Sequence, residues 1–278
     1  MTSPKPESEM AETTEQIIRR KRAEVARAEQ LVPLHELAMA ALQAEDPWRR
    51  NLPAALTGPE LRLIAEIRRP TAGGMSELLF DPRIIAQEFA GAGAAAISVR
   101  TDDPEVGSEL HLVRRARHYM PLPVIVWDWF VDQYQVYQSW EQQADAVALA
   151  VEVVGEDELG LLMRAAGKLR VAAVVVVRDE FELESALAVQ ARIICVENRA
   201  MPGDADDLTR TEKLAPHVPG DALLISAHAI RTREDALRVA AAGADAALFE
   251  PPADYELARD AIRDLRHIEA PGRPHAAP

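Results

Sequence analysis

Residues 222–249 read ALLISAHAIRTREDALRVAAAGADAALF. A β-prone run (222–226) comes first, and Thr232 then stands ahead of Glu234 and Asp235, the pattern of a helix N-cap with acidic residues in the first turn. The helical stretch ends at Gly243, and a second β-prone run (245–249) follows at once. Strand, crossover helix and strand in that order form one unit of a parallel sheet.

The same texture runs backward from this unit. Further β-prone runs lie at 63–67, 95–99, 124–127, 146–151, 172–177 and 192–196, so the chain holds eight, with starts 20 to 32 residues apart. That spacing fits a strand plus a crossover helix, and eight such units close a parallel barrel. Asp81-Pro82 opens one of the intervening helices, and Gly91 and Gly93 close it. The predicted class is α/β, a (β/α)8 TIM barrel over 63–267. An open doubly wound sheet is the competitor, but no Gly-x-Gly-x-x-Gly turn follows any run.

Upstream, 12–62 reads as a helical extension: two stretches separated by Pro33, the first carrying Ile17, Ile18, Val25 and Leu31, the second Leu34, Leu37, Met39 and Leu42. Residues 1–11 and 268–278 are rich in Pro and polar or small residues and are expected to be disordered tails.

Composition narrows the function. The 278 residues carry 45 acidic and 31 basic side chains, a formal net charge of -14 spread along the chain, which excludes a nucleic-acid partner. The apolar runs fall far short of the roughly 20 residues of a membrane span, and the polar N-terminus has no signal-peptide core. Cys195 is the only cysteine, so no intramolecular disulfide forms, and a cytoplasmic location is expected. No His-x-x-x-His, Cys-x-x-Cys, Gly-x-Ser-x-Gly or Walker pattern occurs, so neither metal nor cofactor is expected. Gly73-Gly74, after the first run, is too weak a signal for a phosphate loop. Oligomeric state is not legible.

Barrel chemistry sits where strands end. Those ends carry Glu66 and Arg68, Ser98 and Arg100, Trp127 and Trp129, Val176, Glu197, Ala227 and His228, and Glu250. Side chains two apart share a strand face, so Glu66 is expected to point with Arg68 and Trp127 with Trp129. Glu66, Glu197 and His228 are the candidate proton-transfer groups; Arg68, Arg100, Trp127, Trp129 and Glu250 are the candidate substrate contacts. Bland readings stand beside them: Glu66 and Arg68 as a structural ion pair, Glu197 and Glu250 as partners of Arg100 or Arg199, His228 as solvated or hydrogen-bonded filler, and the tryptophans as a plug.

The stretches LIAEIRR (63–69), DPRIIAQEFAGAGAAAISVRTD (81–102), DWFVDQYQVY (128–137), IICVENR (193–199) and LISAHAIRTREDALRVAAAG (224–243), with IIRRKRAEV (17–25), resemble indole-3-glycerol phosphate synthase. The resemblance runs from about residue 13 to 266. It implies a barrel that closes an indole ring from a carboxyphenylamino-deoxyribulose phosphate without a cofactor, losing carbon dioxide and water. Carried over by position, the strand-one glutamate is Glu66. The strand-one lysine falls on Arg68, the strand-three lysine on Trp127, the strand-five glutamate on Val176 and the strand-six asparagine on Glu197. The glutamate and serine after strand seven fall on Ala227 and His228.

The family's phosphate loops fall on Ala229 and on Glu250, Pro251 and Pro252. Proline offers no N–H, and a carboxylate 4 Å from a phosphate charge opposes it by roughly 4 kcal/mol at an effective dielectric of about 20. The expectation from these departures is a repurposed barrel, a cofactor-free cyclase, dehydratase or isomerase acting on an unphosphorylated small molecule in specialised metabolism. The alternatives are a catalytically silent barrel that binds a ligand or partner enzyme, and authentic indole-3-glycerol phosphate synthase activity.

Overall fold

The computed structural model describes residues 12–44, 49–70, 80–103, 107–199, 205–252 and 255–271. Eight parallel strands form a closed barrel: β1 (Arg62–Ile67), β2 (Ala96–Arg100), β3 (Val124–Trp127), β4 (Ala146–Ala150), β5 (Ala172–Val177), β6 (Ile193–Glu197), β7 (Leu223–Ala227) and β8 (Ala246–Phe249). Each strand pairs with its sequence neighbours and β8 closes on β1, with Arg62 opposite Ala246. The predicted runs match these strands to within a residue or so at each end. A small antiparallel ribbon, Asp102–Asp103 with Gly107–Ser108, follows β2 and had no counterpart in the sequence reading.

Three helices precede the barrel: α1 (Thr14–Leu31), α2 (Leu34–Gln43) and α3 (Leu52–Leu56). Eight follow among the described residues: α4 (Pro82–Ala92), α5 (His111–Arg117), α6 (Gln133–Glu141), α7 (Val151–Lys168), α8 (Glu180–Ala188), α9 (Thr209–Leu214), α10 (Arg233–Ala241) and α11 (Tyr255–Asp264). Their starts are local in origin. Thr232 caps α10 by accepting from Asp235 N in a full capping box, and Asp81 caps α4 with proline in the first turn. Gly93 ends α4 at φ 111, a left-handed turn that glycine adopts without strain.

The pleat decides which side chains meet inside. Ile64, Ala96, Ile125, Ala146, Val174, Ile193, Ile225 and Ala246 form the barrel interior, and α3 contributes Leu52 and Leu56 to the same cluster, both essentially inaccessible. Alternate residues such as Leu63, Val99, Val126 and Leu224 face the helical layer. Following the inward set toward the strand ends reaches Glu66, Arg100, Trp127, Val176, Glu197 and Ala227, which is how the mouth acquires its charge.

The N-terminal helices are tied to the mouth. Lys21 of α1 is buried, with Nζ 2.7 Å from both Asp102 and Asp128. At the far end of the chain the expected tail begins too early: Ile268 is buried, its carbonyl accepts from Leu61 N, and Ala270 N donates to Pro59. Packing against the strand-one entry holds these residues. Residues 1–11 and 272–278 of the expected tails, and Gly73-Gly74, lie outside the described residues. Among the described residues no helix is long and apolar enough to cross a membrane.

Candidate active site

His228 follows β7 directly at φ 60, and this left-handed turn swings its ring back over the barrel axis. It is 1 % exposed. Nδ1 lies 2.8 Å from both carboxylate oxygens of Glu197, and Nε2 lies 3.3 Å from Glu66 Oε2. The Trp127 ring meets the imidazole edge-on, centroids 5.1 Å apart. Arg100 Nε completes the group 3.6 Å from Glu66 Oε1.

Electrostatics follow from that packing. Burial on its own would lower the His228 pKa, but Glu197 and Glu66 outweigh it and raise the imidazole to about 9. Burial would raise Glu66, yet Arg100 and His228 bring it down to about 2. At neutral pH the cluster therefore holds imidazolium against carboxylate, with both ring nitrogens engaged. Of the bland readings of His228, this removes the solvated one: the ring is buried and bonded through both nitrogens.

A further expectation changes. Glu66 does not pair with Arg68; β1 ends at Ile67, and Arg68 turns to Glu250, Nη1 to Oε1 2.9 Å. Arg199 Nη2 holds the other Glu250 oxygen at 2.7 Å, and Arg199 N donates to Glu197 Oε1 at 2.8 Å. Trp129 lies beyond the end of β3, where Asp128 accepts from its amide, and it still lines the same hollow as Trp127. Arg231 bonds Asp206, and Arg233 bonds the carbonyls of Asp264 and Arg266.

Two hollows open at the mouth. One, of about 350 Å³, has Trp127, Trp129, Ala148, Ala150 and Val176 as its apolar wall, with Arg100, Arg178, Arg199 and Glu197 among its polar lining and Ile17 of α1 closing one side. The other, of about 900 Å³, lies over β7 and β8 and is bounded by Arg68, Arg199, His228, Ala229, Glu250 and Pro251. Arg199 lines both. Among the described residues no group of three or more His, Cys, Asp and Glu side chains is placed to hold a metal ion.

Sequence reading missed Lys21, Arg178 and Glu182. Lys21 looked like one charge among many on α1, yet Asp128 and Asp102 hold its ammonium form against the cost of burial. Arg178, just past β5, pairs with Glu152 inside the smaller hollow. Glu182 carried one sequence signal, its place three residues after the N-cap Asp179.

Fold and mouth define a parallel-barrel protein with a buried acid–base cluster at the carboxyl ends of its strands. The family model for indole-3-glycerol phosphate synthase matches residues 14–250. The chain is 34 % identical over 246 residues to the indole-3-glycerol phosphate synthase of Acidithiobacillus ferrooxidans, covering 86 % of this chain and 92 % of that protein. It is 36 % identical over 245 residues to that of Albidiferax ferrireducens, with the same coverages of 86 % and 92 %. Among solved structures, thiamine phosphate pyrophosphorylase from Pyrococcus furiosus shares the fold, with a TM-score of 0.54 and 18 % identity over 75 % of this chain and 95 % of that one. The chain belongs to the indole-3-glycerol phosphate synthase family.

This match over most of the chain overturns the expectation of a barrel repurposed for an unphosphorylated molecule in specialised metabolism. One physical premise of that expectation fails as well. Glu250 is not a bare carboxylate facing the phosphate position, because Arg68 and Arg199 grip one oxygen each. The three groups together carry one net positive charge.

Proposed function

We propose that this chain closes an indole ring from a carboxyphenylamino-deoxyribulose phosphate with loss of carbon dioxide and water, the third of the readings set out above. The observation that carries it is the family match over 86 % of the chain; Glu66 is the residue the resemblance implies for the family's strand-one glutamate. A cytoplasmic location goes with this reading, as does a small-molecule substrate.

The residues divide the work by chemistry. Arg68 and Arg199, with their net positive charge beside Glu250, are the groups to receive the phosphate end over β7 and β8. Trp127, Trp129 and Val176 offer the aryl ring a flat apolar wall, and Arg100 and Arg178 offer its carboxylate a cation. Ring closure needs a proton at the carbonyl oxygen. Glu197 lines the hollow and has His228 behind it as imidazolium, so the proton on the ring nitrogen is the one to deliver, passed through the Glu197 carboxylate to the carbonyl oxygen. Glu66 holds the other nitrogen and keeps the imidazole charged.

Growth of a tryptophan auxotroph lacking the synthase, with this chain as the only source of the activity, tests the reading directly. Rescue is the expected outcome. Failure by folded, expressed protein, with no carbon dioxide released from the purified substrate, would overturn it and leave a barrel that binds without turnover.

A further inference from the structure

Six carboxylates line the smaller hollow among the described residues, and five of them are committed to cationic side chains. Glu12 and Asp102 pair with Arg20 at 2.9 and 2.8 Å, and Asp128 pairs with Lys21 at 2.7 Å. Glu152 pairs with Arg178, and Glu197 with His228 at 2.8 Å. Glu182 differs. Its Oε2 accepts the backbone N–H of Arg178 at 2.7 Å, and among the described residues it forms no salt bridge.

Its position follows from local structure. Asp179 caps α8 by accepting from Glu182 N, which sets Glu182 in the first turn with its side chain turned back toward the end of β5. There it shares the cavity wall with Val176 and Arg178. Burial raises its carboxyl to about 7; the Arg178 amide bond opposes this, Asp179 adds to it, the Arg178 guanidinium opposes it and Glu152 adds again. Across the hollow stand Arg100, Arg199 and the Glu197–His228 pair. A carboxyl poised near neutrality, with one oxygen anchored, is suited to accept a proton and release it again.

We propose that Glu182 is the proton acceptor of the ring-forming reaction, filling from helix α8 the role that the resemblance places on strand five, where this chain has Val176. The inference rests on the function proposed above. In the closing dehydration a hydrogen on the ring carbon next to nitrogen leaves as a proton to the Glu182 carboxylate, and its electron pair becomes the new C=C bond. The hydroxyl on the adjacent carbon takes a proton from the acid side of the site and departs as water. Glu182 then returns its proton to solvent and the His228–Glu197 pair, the donor, takes one up, so atoms and charge balance without an oxidant or reductant.

The test is Glu182→Gln, whose side-chain oxygen still accepts the Arg178 N–H and preserves the first turn of α8. Turnover of the arylamino sugar phosphate is measured from pH 5.5 to 9 for both proteins. The expected result is a fall in kcat of at least about 100-fold, with loss of the wild-type limb near neutrality and restoration of part of the rate when formate is added to Glu182→Ala. An unchanged profile with kcat within threefold overturns the inference and leaves the proposed function standing.

Wild-type protein supplies a readout that needs neither turnover nor a stable variant. The δ-carbon of Glu182 is titrated by NMR with and without an analogue whose ketone is reduced to the alcohol. A midpoint near neutrality that moves on analogue binding supports a carboxyl facing the ligand even if turnover, and with it the proposed function, fails. An unmoved midpoint overturns the inference.

Discussion

His228 Nδ1 sits 2.8 Å from each oxygen of Glu197 while its Nε2 reaches Glu66, so one buried imidazolium is clamped between two carboxylates. Its folded pKa, about 9, lies above the ordinary 6.5. The stabilisation is therefore fully present below about 6.5 and is lost as pH rises through about 9. The shift corresponds to about 3 kcal/mol. Denaturant titrations at pH 6 and pH 10 are expected to show a drop of this order in the wild type and little in His228→Gln. Equal stabilities at the two pH values would contradict the clamp.

On the acid side the sign reverses. Glu66, brought from 4.5 down to about 2, contributes stability that is present above about 4.5 and disappears as pH falls through about 2. Glu66→Gln is expected to be less stable than wild type at pH 7 and to lose less on acidification to pH 2.5. Thermal melts at the two pH values measure it.

Glu250 competes with any anion for Arg68 and Arg199. Glu250→Gln removes the charge that holds both guanidinium groups, and all three side chains are partly exposed, so stability is expected to change by less than about 1 kcal/mol. Affinity for inorganic phosphate, measured by calorimetry at low salt, is expected to rise several-fold. Weaker phosphate binding in the variant would show that Glu250 orients the arginines rather than blocking them.

Lys21 is the buried fastening between α1 and the barrel. Lys21→Met leaves Asp128 without its ammonium and takes one of two cations from Asp102, and breaking such a pair is expected to cost about 3 to 5 kcal/mol. Urea unfolding gives the magnitude. Limited proteolysis is expected to cut within 14–31 first.

The sequence made the barrel legible because its two periodicities are local: β-prone runs such as 172–177 are bounded by turns, and the capping patterns at Asp81 and Thr232 announce their helices. The inward placement of Glu66, Trp127 and Glu197 followed from the pleat. His228 did not, since two consecutive left-handed residues after β7, His228 and Ala229, turned an expected loop side chain into the centre of the site. The pairing of Arg68 with Glu66 failed because one residue past the end of a strand the alternation no longer governs direction. Lys21 was invisible for another reason, its partners lying 81 and 107 residues away, and Glu182 showed only its place after the N-cap, since nothing in a linear pattern reports a cavity wall.

Leu52 and Leu56 stop the lower opening of the cylinder from a segment that is synthesised ahead of every strand. The cork is thus synthesised ahead of its bottle, and its two leucines stay wet until β8 has come around to meet β1. A nascent chain halted before residue 246 would expose this greasy pair to chaperones, and release of the final strand would be the event that hides it.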